Sequence, residues 1–238
     1  MNRKLFTSML AVFTVFCASA AGKMPAIHMA GDSTMCDYKD TRRGGWGQLL
    51  KQQVKPGVVV NNRAVGGQST KSFIESKRWS KLLAKVKKGD YIIIQFGHND
   101  QKKKNADRYA AADGDFKTNL TKFITEAKNK GAKPILATSV CRRTYGKDGK
   151  LTDAPKLKLY ADATMAVAKE MNVPVVDLNT ITRDYLNEIG KEKSLELFFI
   201  LYDKKDNTHT TIKGGEIFAK MFVDDTKKQN LDIAKLFK

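Results

Sequence analysis

The sequence predicts an α/β protein in which a five-stranded parallel sheet is covered by helices on both faces. Apolar runs of strand length alternate along the chain with longer segments that carry an apolar helical stripe, as in β-α-β units. The run 91–96 is apolar at almost every position, which is typical of a parallel strand buried on both faces. Polar or glycine-bearing tips follow the strands, so we expect these loops to meet at the carboxyl edge of the sheet, where ligands bind.

The predicted strands are defined by the signals that end them. The first stops at the turn Gly31-Asp32-Ser33, which we expect to run into a helix whose first N–H groups lie beside the serine hydroxyl. The third is bounded by Gly89-Asp90 and by Gly97. In chain order, the strands are predicted at residues 27–30, 58–62, 91–96, 134–140 and 173–178.

The predicted helices have apolar residues at helical spacing and end at recognisable stop signals. Pro56-Gly57 ends the first helix, and Gly131 caps the helix that begins at Asp115. The segment 63–70 is predicted as a glycine-bearing loop. In chain order, helices are predicted at residues 46–54, 79–88, 115–130, 155–171, about 180–199 and 211–228.

The first twenty residues have the composition of a secretory signal peptide. Asn2-Arg3-Lys4 is basic, residues 5–17 form a short apolar run, and Ala18-Ser19-Ala20 has the small residues of a cleavage site. We therefore predict a signal peptide at residues 1–20, a single domain at residues 21–238, and a periplasmic or secreted protein without a membrane anchor. The alternative is a buried N-terminal strand or helix.

The chain is strongly basic, with a formal net charge of +18 from 43 Lys and Arg against 25 Asp and Glu. Such a charge attracts nucleic acid, anionic lipid or an acidic polysaccharide, although dispersed lysines such as Lys102-Lys103-Lys104 also serve solubility alone. The sequence has no zinc-finger spacing and no RNA-binding aromatic signature, so we set nucleic acid aside. The charge leaves anionic lipid, an acidic polysaccharide and simple solubility open, and we expect a monomeric protein.

Export would leave two cysteines in the mature chain, Cys36 and Cys141. Each follows a predicted strand end at the same edge of the sheet, and an oxidising compartment favours pairing. A disulfide and two separate thiols both remain open from the sequence.

The groups that a nucleophilic serine needs occur in separate loops. Such a serine requires a base and a group that orients the base. Of the three histidines, His28 lies inside the first predicted strand and is expected to be structural, whereas His98 and His209 lie in loops. Asp206 precedes His209 by three residues, so its carboxylate can accept from Nδ1 while Nε2 faces Ser33. Each feature alone is more typical of a loop or a helix start, and the prediction depends on their joint occurrence.

Five blocks of the sequence carry a recognisable pattern. They are Ala30–Met35, Gly45-Trp46-Gly47, Ala64–Ser69, Phe96–Asp100 and Asp206–Gly214. Blocks of this kind, in this order, resemble those of the SGNH (GDSL-type) hydrolases, and the closer resemblance is to the rhamnogalacturonan acetylesterase branch. The resemblance spans nearly all of the predicted mature chain.

The resemblance implies a flavodoxin-like three-layer α/β/α sandwich, the SGNH hydrolase fold, in agreement with the alternation of strands and helices. It implies Ser33 as the nucleophile, His209 as the base and Asp206 as the carboxylate that orients the base. It implies no metal and no organic cofactor.

The resemblance also implies an oxyanion hole made of two backbone donors and one side chain. These are the N–H of Ser33, the N–H of Gly67 and the side-chain amide of Asn99. Gly67 is the sixth residue of the second family block counted from Asn62, and Gly66 is the alternative donor.

The implied function is that of an exported serine esterase that removes O-acetyl groups from a pectic polysaccharide, namely rhamnogalacturonan. We expect His98, Arg142 and Arg143 to contact the substrate, since arginine pairs well with the carboxylate of galacturonate; both arginines can equally be solvated loop residues. The alternatives are an acetylesterase for xylan or another glycan, a lipase or thioesterase on the same fold, and a non-catalytic carbohydrate-binding protein. The intact catalytic positions disfavour the last.

Overall fold

A five-stranded parallel sheet forms the centre of the fold in the computed structural model, which describes residues 24–151 and 155–238. The strands are β1 (Ile27–Gly31), β2 (Val60–Asn62), β3 (Tyr91–Gln95), β4 (Lys133–Ala137) and β5 (Val175–Val176). They lie in the order β2-β1-β3-β4-β5, and each pairing is parallel. The predicted fold class is confirmed, and the predicted signal peptide lies outside the described residues.

Helices connect the strands and cover both faces of the sheet. They are α1 (Trp46–Leu50), α2 (Thr70–Glu75), α3 (Arg78–Leu83), α4 (Asp115–Asn129), α5 (Pro155–Glu170), α6 (Leu178–Lys193) and α7 (Ile212–Lys228). Short 3-10 helices lie at Ser194–Leu197, Phe199–Leu201 and Asp232–Leu236. Within the described ranges, no helix combines the length and the apolar character needed to cross a bilayer.

The strands divide their apolar side chains between two cores, because successive side chains of a strand point to opposite faces. In β3, Tyr91 and Ile93 pack with residues of α1, α6 and α7. Ile92 and Ile94 pack with residues of α2, α3, α4 and α5 on the other face. The continuous apolar run of β3 is therefore what a strand covered on both faces requires.

The chain after β1 makes a single turn at residues 33–36 and does not enter the predicted helix. The N–H of Cys36 bonds to the carbonyl of Asp32 (3.1 Å), as in a first helical turn. The carbonyl of Ser33, however, accepts from the hydroxyl of Tyr38 (2.7 Å). This contact occupies the Ser33 carbonyl, and the helical hydrogen-bond series does not continue beyond the first turn. The N–H groups beside the serine therefore belong to a single turn and not to the predicted helix.

Two side-chain caps account for other departures from the predicted elements. Ser69 caps α2, a helix for which no element is predicted, by accepting from the N–H of Ser72 while the Ser72 side chain bonds back to Ser69. Asp177 caps α6 by accepting from the N–H of Thr180. Because the cap occupies Asp177, β5 is shorter than predicted and α6 begins earlier.

Hydrogen bonds join the loops at the carboxyl edge of the sheet, as expected. The side chain of Asn99, in the loop after β3, donates to the carbonyl of Gln68 in the loop after β2 (2.9 Å). The carboxylate of Asp100 accepts from the N–H of Thr70 (2.8 Å) and from its hydroxyl. These bonds fix the two loops relative to each other.

The two described cysteines are free and buried. Burial raises the pKa of the Cys36 thiol to about 11 and that of the Cys141 thiol to about 12. Of the two possibilities that the sequence left open, the structure has the separate thiols.

Candidate active site

Ser33, His209 and Asp206 form a hydrogen-bonded series at the carboxyl edge of the sheet. The hydroxyl oxygen of Ser33 lies 2.9 Å from Nε2 of His209. Nδ1 of the same ring lies 2.7 Å from Oδ2 of Asp206. The structure thus brings together the three residues predicted as nucleophile, base and orienting carboxylate, in the predicted order of contact.

A tight bend at residues 206–209, rather than a helical turn, holds the imidazole. Oδ1 of Asp206 accepts from the N–H of Thr208 (3.1 Å) and of His209 (3.0 Å), while Oδ2 orients the ring. Burial alone would raise the pKa of Asp206, but hydrogen bonds from His209 hold it below its ordinary value. The carboxylate is therefore ionised and accepts on both oxygens.

A buried polar network fixes the turn that carries Ser33. Oδ1 of Asp32 accepts from the N–H and the hydroxyl of Thr34 (2.9 and 2.8 Å). Gln95, at the end of β3, donates to the Thr34 hydroxyl (3.0 Å) and accepts from the indole N–H of Trp46 (2.7 Å). These side chains are buried, and burial raises the pKa of Asp32. The network ties β1, β3 and α1 together beneath the serine.

Asn99 lines the same cleft as Ser33 and is held by two polar contacts. It is 3% exposed, donates one hydrogen to Gln68 (2.9 Å) and accepts from Nζ of Lys102 (2.7 Å) on its oxygen. An asparagine amide carries two N–H donors, and the bond to Gln68 uses one of them. Lys102 belongs to the lysine run for which the sequence also allowed a role in solubility alone. In the structure its ammonium group contacts Asn99 and lines the cleft.

The glycine loop after β2 approaches Ser33 at Gly66. A Cβ at Gly66 would lie 3.8 Å from Cβ of Ser33, whereas a Cβ at Gly67 would lie 3.2 Å from the guanidinium of Arg108. Gly67 has a φ of +79°, a conformation that glycine adopts readily. Gly67 as the oxyanion donor, with Gly66 as the alternative, stays a prediction.

A cleft of about 260 Å³ lies at Ser33. Its cationic side chains outnumber its carboxylates, which suits an anionic substrate. The lining consists of Ser33, His98, Asn99, Lys102, Arg142, Asp203, Lys205, Asp206, Thr208 and His209.

His98 contributes a neutral imidazole to this cleft. It is 2% exposed, and burial, reinforced by the nearby charge of Arg142, holds the pKa of His98 well below 6.5. Neither ring nitrogen makes a hydrogen bond of good geometry to the described residues. A contact with the backbone of Val140 acts to raise the pKa of His98 but does not outweigh burial. Arg142 donates through Nη1 to Thr208 (3.2 Å). His98 and Arg142 therefore lie where the sequence predicted a substrate contact.

The structure does not bring Arg143 to the cleft, which corrects its predicted substrate role. Its side chain is buried, donates to the Ser194 hydroxyl (3.0 Å) and to the Lys191 carbonyl (2.6 Å), and lies over the Tyr145 ring at 5.4 Å. Adjacent residues of an extended segment point in opposite directions. Arg142 thus faces the cleft, whereas Arg143 stabilises the chain at the end of α6.

Tyr38 is a neighbour of the site that the sequence did not indicate. Its hydroxyl holds the carbonyl of Ser33 (2.7 Å), and its ring meets that of His209 edge-on, with centroids 6.3 Å apart. It lies in a loop without periodicity, so no sequence signal marks it. His28 bonds to Asp90 (3.1 Å) far from these groups and has the structural role expected of it.

The described residues contain no group of three or more His, Cys, Asp or Glu side chains placed to hold a metal ion.

The family model for GDSL-like lipases and acylhydrolases matches residues 29–197. The chain belongs to this family. Membership makes it a carboxylic ester hydrolase and confirms the resemblance found in the sequence blocks.

Relatives of known name include two rhamnogalacturonan acetylesterases. The chain is 37% identical over 218 residues to rhamnogalacturonan acetylesterase RhgT of Bacillus subtilis strain 168, covering 87% of this chain and 91% of that protein. It is 27% identical over 216 residues to the rhamnogalacturonan acetylesterase of Emericella nidulans, covering 83% of this chain and 82% of that protein.

Solved structures share the fold. The crystal structure of protein YxiM from Bacillus subtilis is similar with a TM-score of 0.79 and 29% identity, covering 87% of this chain and 57% of that chain. The acetylxylan esterase Axe2 from Geobacillus stearothermophilus is similar with a TM-score of 0.64 and 18% identity, covering 86% of this chain and 94% of that chain. The second likeness concerns the fold alone.

Proposed function

We propose that the protein is an exported acetylesterase that removes O-acetyl groups from rhamnogalacturonan. The observation that carries the proposal is the contact series from Ser33 through His209 to Asp206, with distances of 2.9 and 2.7 Å, in a member of an acylhydrolase family. The named activity of the relatives RhgT and the Emericella nidulans enzyme supports the choice of polymer.

In the proposed mechanism, an acetyl group passes from the sugar to Ser33 and then to water. The serine oxygen attacks the acetyl carbonyl while Nε2 of His209 takes the hydroxyl proton. The tetrahedral intermediate collapses, the bond to the sugar oxygen breaks, and His209 returns the proton to that oxygen. Water then attacks the acetyl-serine with His209 again as base, and acetate leaves as Ser33 regains its proton.

The negative charge that develops on the carbonyl oxygen needs donors already in place. We assign this role to the N–H of Ser33, the N–H of Gly67 and the remaining amide hydrogen of Asn99. The network beneath Ser33 and the bond from Asn99 to Gln68 (2.9 Å) support the assignment, because both keep these donors fixed before the substrate arrives.

The substrate contacts follow from the charges of the cleft. Arg142 and Lys102 present cationic donors to the galacturonate carboxylate, and His98 presents a neutral imidazole to a sugar hydroxyl. Burial of His98 and its lack of a well-formed hydrogen bond support this role, since a buried polar group without a partner is costly and gains from a ligand that bonds to it.

The decisive experiment compares acetate release from acetylated rhamnogalacturonan, acetylated xylan and a small aryl acetate. The mature chain is tested beside Ser33→Ala, which should lower kcat by several orders of magnitude on every ester, and beside Arg142→Gln, which should raise KM on the acidic polymer only. Release from the pectic polymer that persists in Ser33→Ala contradicts the mechanism. Acetate release from xylan and not from rhamnogalacturonan would be consistent with the mechanism but would contradict the proposed substrate.

Export is a separate part of the proposal and is supported by the composition of residues 1–20. The full chain, expressed with its own N-terminus, should be recovered outside the cytoplasm, shortened by that segment. An intact N-terminus on the protein recovered from the cytoplasm would contradict export. Mass measurement of the purified protein decides between the two.

A further inference from the structure

Aromatic rings and guanidinium groups form a continuous series from the active site to the surface. The Tyr38 ring meets His209 edge-on at 6.3 Å. The Arg43 guanidinium lies over the Tyr38 ring at 5.9 Å and over the Phe199 ring at 4.0 Å. The Phe199 N–H donates to the His209 carbonyl (2.7 Å), so backbone and side chains both link this series to the catalytic base.

The outer end of the series is exposed and is adjacent in the chain to a residue of the cleft lining. The Tyr202 ring lies 5.3 Å from that of Phe199, and the Arg42 guanidinium lies 5.3 Å from the Tyr202 centroid. Phe199 is buried, whereas Tyr202 is 52% exposed and its neighbour Leu201 48% exposed. The next residue, Asp203, lines the cleft at Ser33. The exposed ring is therefore continuous with the site through the chain and through packing.

Arg42, next to the Tyr202 ring, keeps one guanidinium nitrogen outside its ion pair. Asp40 pairs with Nε and Nη2 of Arg42 at 3.2 and 3.4 Å, and Nη1 lies outside that ion pair. The Arg42 side chain is 56% exposed. The Asp203 carboxylate accepts from the N–H of Lys205 (3.0 Å), and the Lys205 side chain adds a further cation to the cleft lining.

We propose that Tyr202 and Arg42 form a subsite for a sugar residue that flanks the acetylated residue of an acidic glycan. The sugar ring packs its C–H face on the half-exposed tyrosine, because an aromatic ring offers a large apolar surface at low entropic cost. A uronate carboxylate of the same stretch pairs with the guanidinium. This subsite rests on the proposed function, since its occupant is the polymer whose acetyl ester reaches Ser33.

The first test changes the ring and measures kinetics on two substrates. Tyr202→Ala should raise KM for acetylated rhamnogalacturonan by roughly five- to tenfold and leave kcat and all aryl acetate kinetics unchanged. Tyr202→Phe, which keeps the ring, should stay within about twofold of the parent protein. Leu201→Ala is the matched control, because it shortens the neighbouring exposed side chain and should change neither substrate.

The second test changes the charge. Arg42→Gln should raise KM for the acidic polymer and not for acetylated xylan. Lys220→Gln removes one positive charge from an exposed ion pair with Asp224 on α7 and should change neither. An equal effect of the two charge variants on the acidic polymer would assign the effect to net charge and overturn the subsite.

A third measurement separates this inference from the proposed function. Acetyl-free rhamnogalacturonan oligosaccharides are used as inhibitors of aryl acetate hydrolysis, which requires binding of the glycan but no transfer of its acetyl group. Weaker inhibition of Tyr202→Ala than of Leu201→Ala supports the subsite even if the polymer releases no acetate. Equal inhibition of the two variants, or a loss of aryl acetate activity in Tyr202→Ala, overturns it.

Discussion

At the scale of single residues, the charge of His98 is decided by its surroundings. The folded protein holds the pKa of His98 well below 6.5 by burial and by the charge of Arg142, whereas an unfolded histidine titrates near its ordinary value of ~6.5. Below that pH the unfolded chain binds a proton that the folded chain does not bind. Acid therefore favours the unfolded state through this residue.

His98→Gln removes this proton uptake from the unfolded chain. As the pH falls from 7.5 to 5, the parent protein should lose free energy of unfolding relative to the variant, by at most about 1.4 kcal/mol per pH unit below ~6.5. Urea unfolding of both proteins at three pH values measures the difference. Parallel pH profiles would show that His98 is protonated equally in the folded and unfolded states.

At the scale of structural elements, the segment at residues 42–46 joins the two halves of the active site. Gly44 donates to the carbonyl of Thr210 (3.1 Å) and accepts from its hydroxyl (2.6 Å), next to His209. Trp46 donates through its N–H to the carbonyl of Thr34 (3.0 Å), next to Ser33. The chain next to Ser33 and the chain next to His209 are thus both anchored on one short segment.

Gly45, in the middle of this segment, leaves no space for a side chain. A Cβ there would overlap the backbone of Cys36, so Gly45→Ala should lower the free energy of unfolding by about 3 kcal/mol and reduce aryl acetate turnover in the protein that remains folded. Gly114→Ala is the control, since its Cβ would meet only Ala111 at ordinary contact distances, the nearest being 3.5 Å. Similar losses in both variants would show that the space around Gly45 is not the cause.

At the scale of the whole molecule, the excess of Lys and Arg over Asp and Glu, nearly all of it outside residues 1–20, favours encounter with an acidic polymer. Raising the salt concentration from about 0.05 to 0.5 M should lower kcat/KM on acetylated rhamnogalacturonan by roughly tenfold, because salt screens attraction between the charges. With a neutral aryl acetate as substrate, kcat/KM should not change with salt concentration, either for the parent protein or for Lys220→Gln. A salt effect of equal size on both esters would point to the chemistry rather than to encounter.

The same scale shows what a sequence can reveal in advance. The continuous apolar run at residues 91–96 was sufficient to predict β3, because a strand buried on both faces is apolar at successive positions. The Gly31-Asp32-Ser33 turn and the spacing of Asp206 and His209 predicted which groups meet only in combination with the family resemblance, and the common edge of parallel strands explains why such distant blocks come together. The apolar run is a local feature of the sequence, and the meeting of the loops follows from the topology of the sheet.

The features that the sequence did not predict depend on tertiary contacts. Arg142 and Arg143 are adjacent and chemically identical, and only the packing of α6 decides which of them enters the cleft. Tyr38 ends the turn after Ser33 by engaging one carbonyl, and the capping pair of Ser69 and Ser72 produces a helix with no apolar stripe of useful length. None of these contacts leaves a periodic signal.

The separation of Ser33 and His209 by 176 residues has a consequence for biosynthesis. The ribosome delivers the nucleophile early, while the bend that carries the base, and the segment that docks on Gly44, emerge only after the last strand of the sheet. A nascent chain therefore presents a serine without its proton acceptor. Under the proposed mechanism, ester cleavage therefore cannot begin before the C-terminal segment docks.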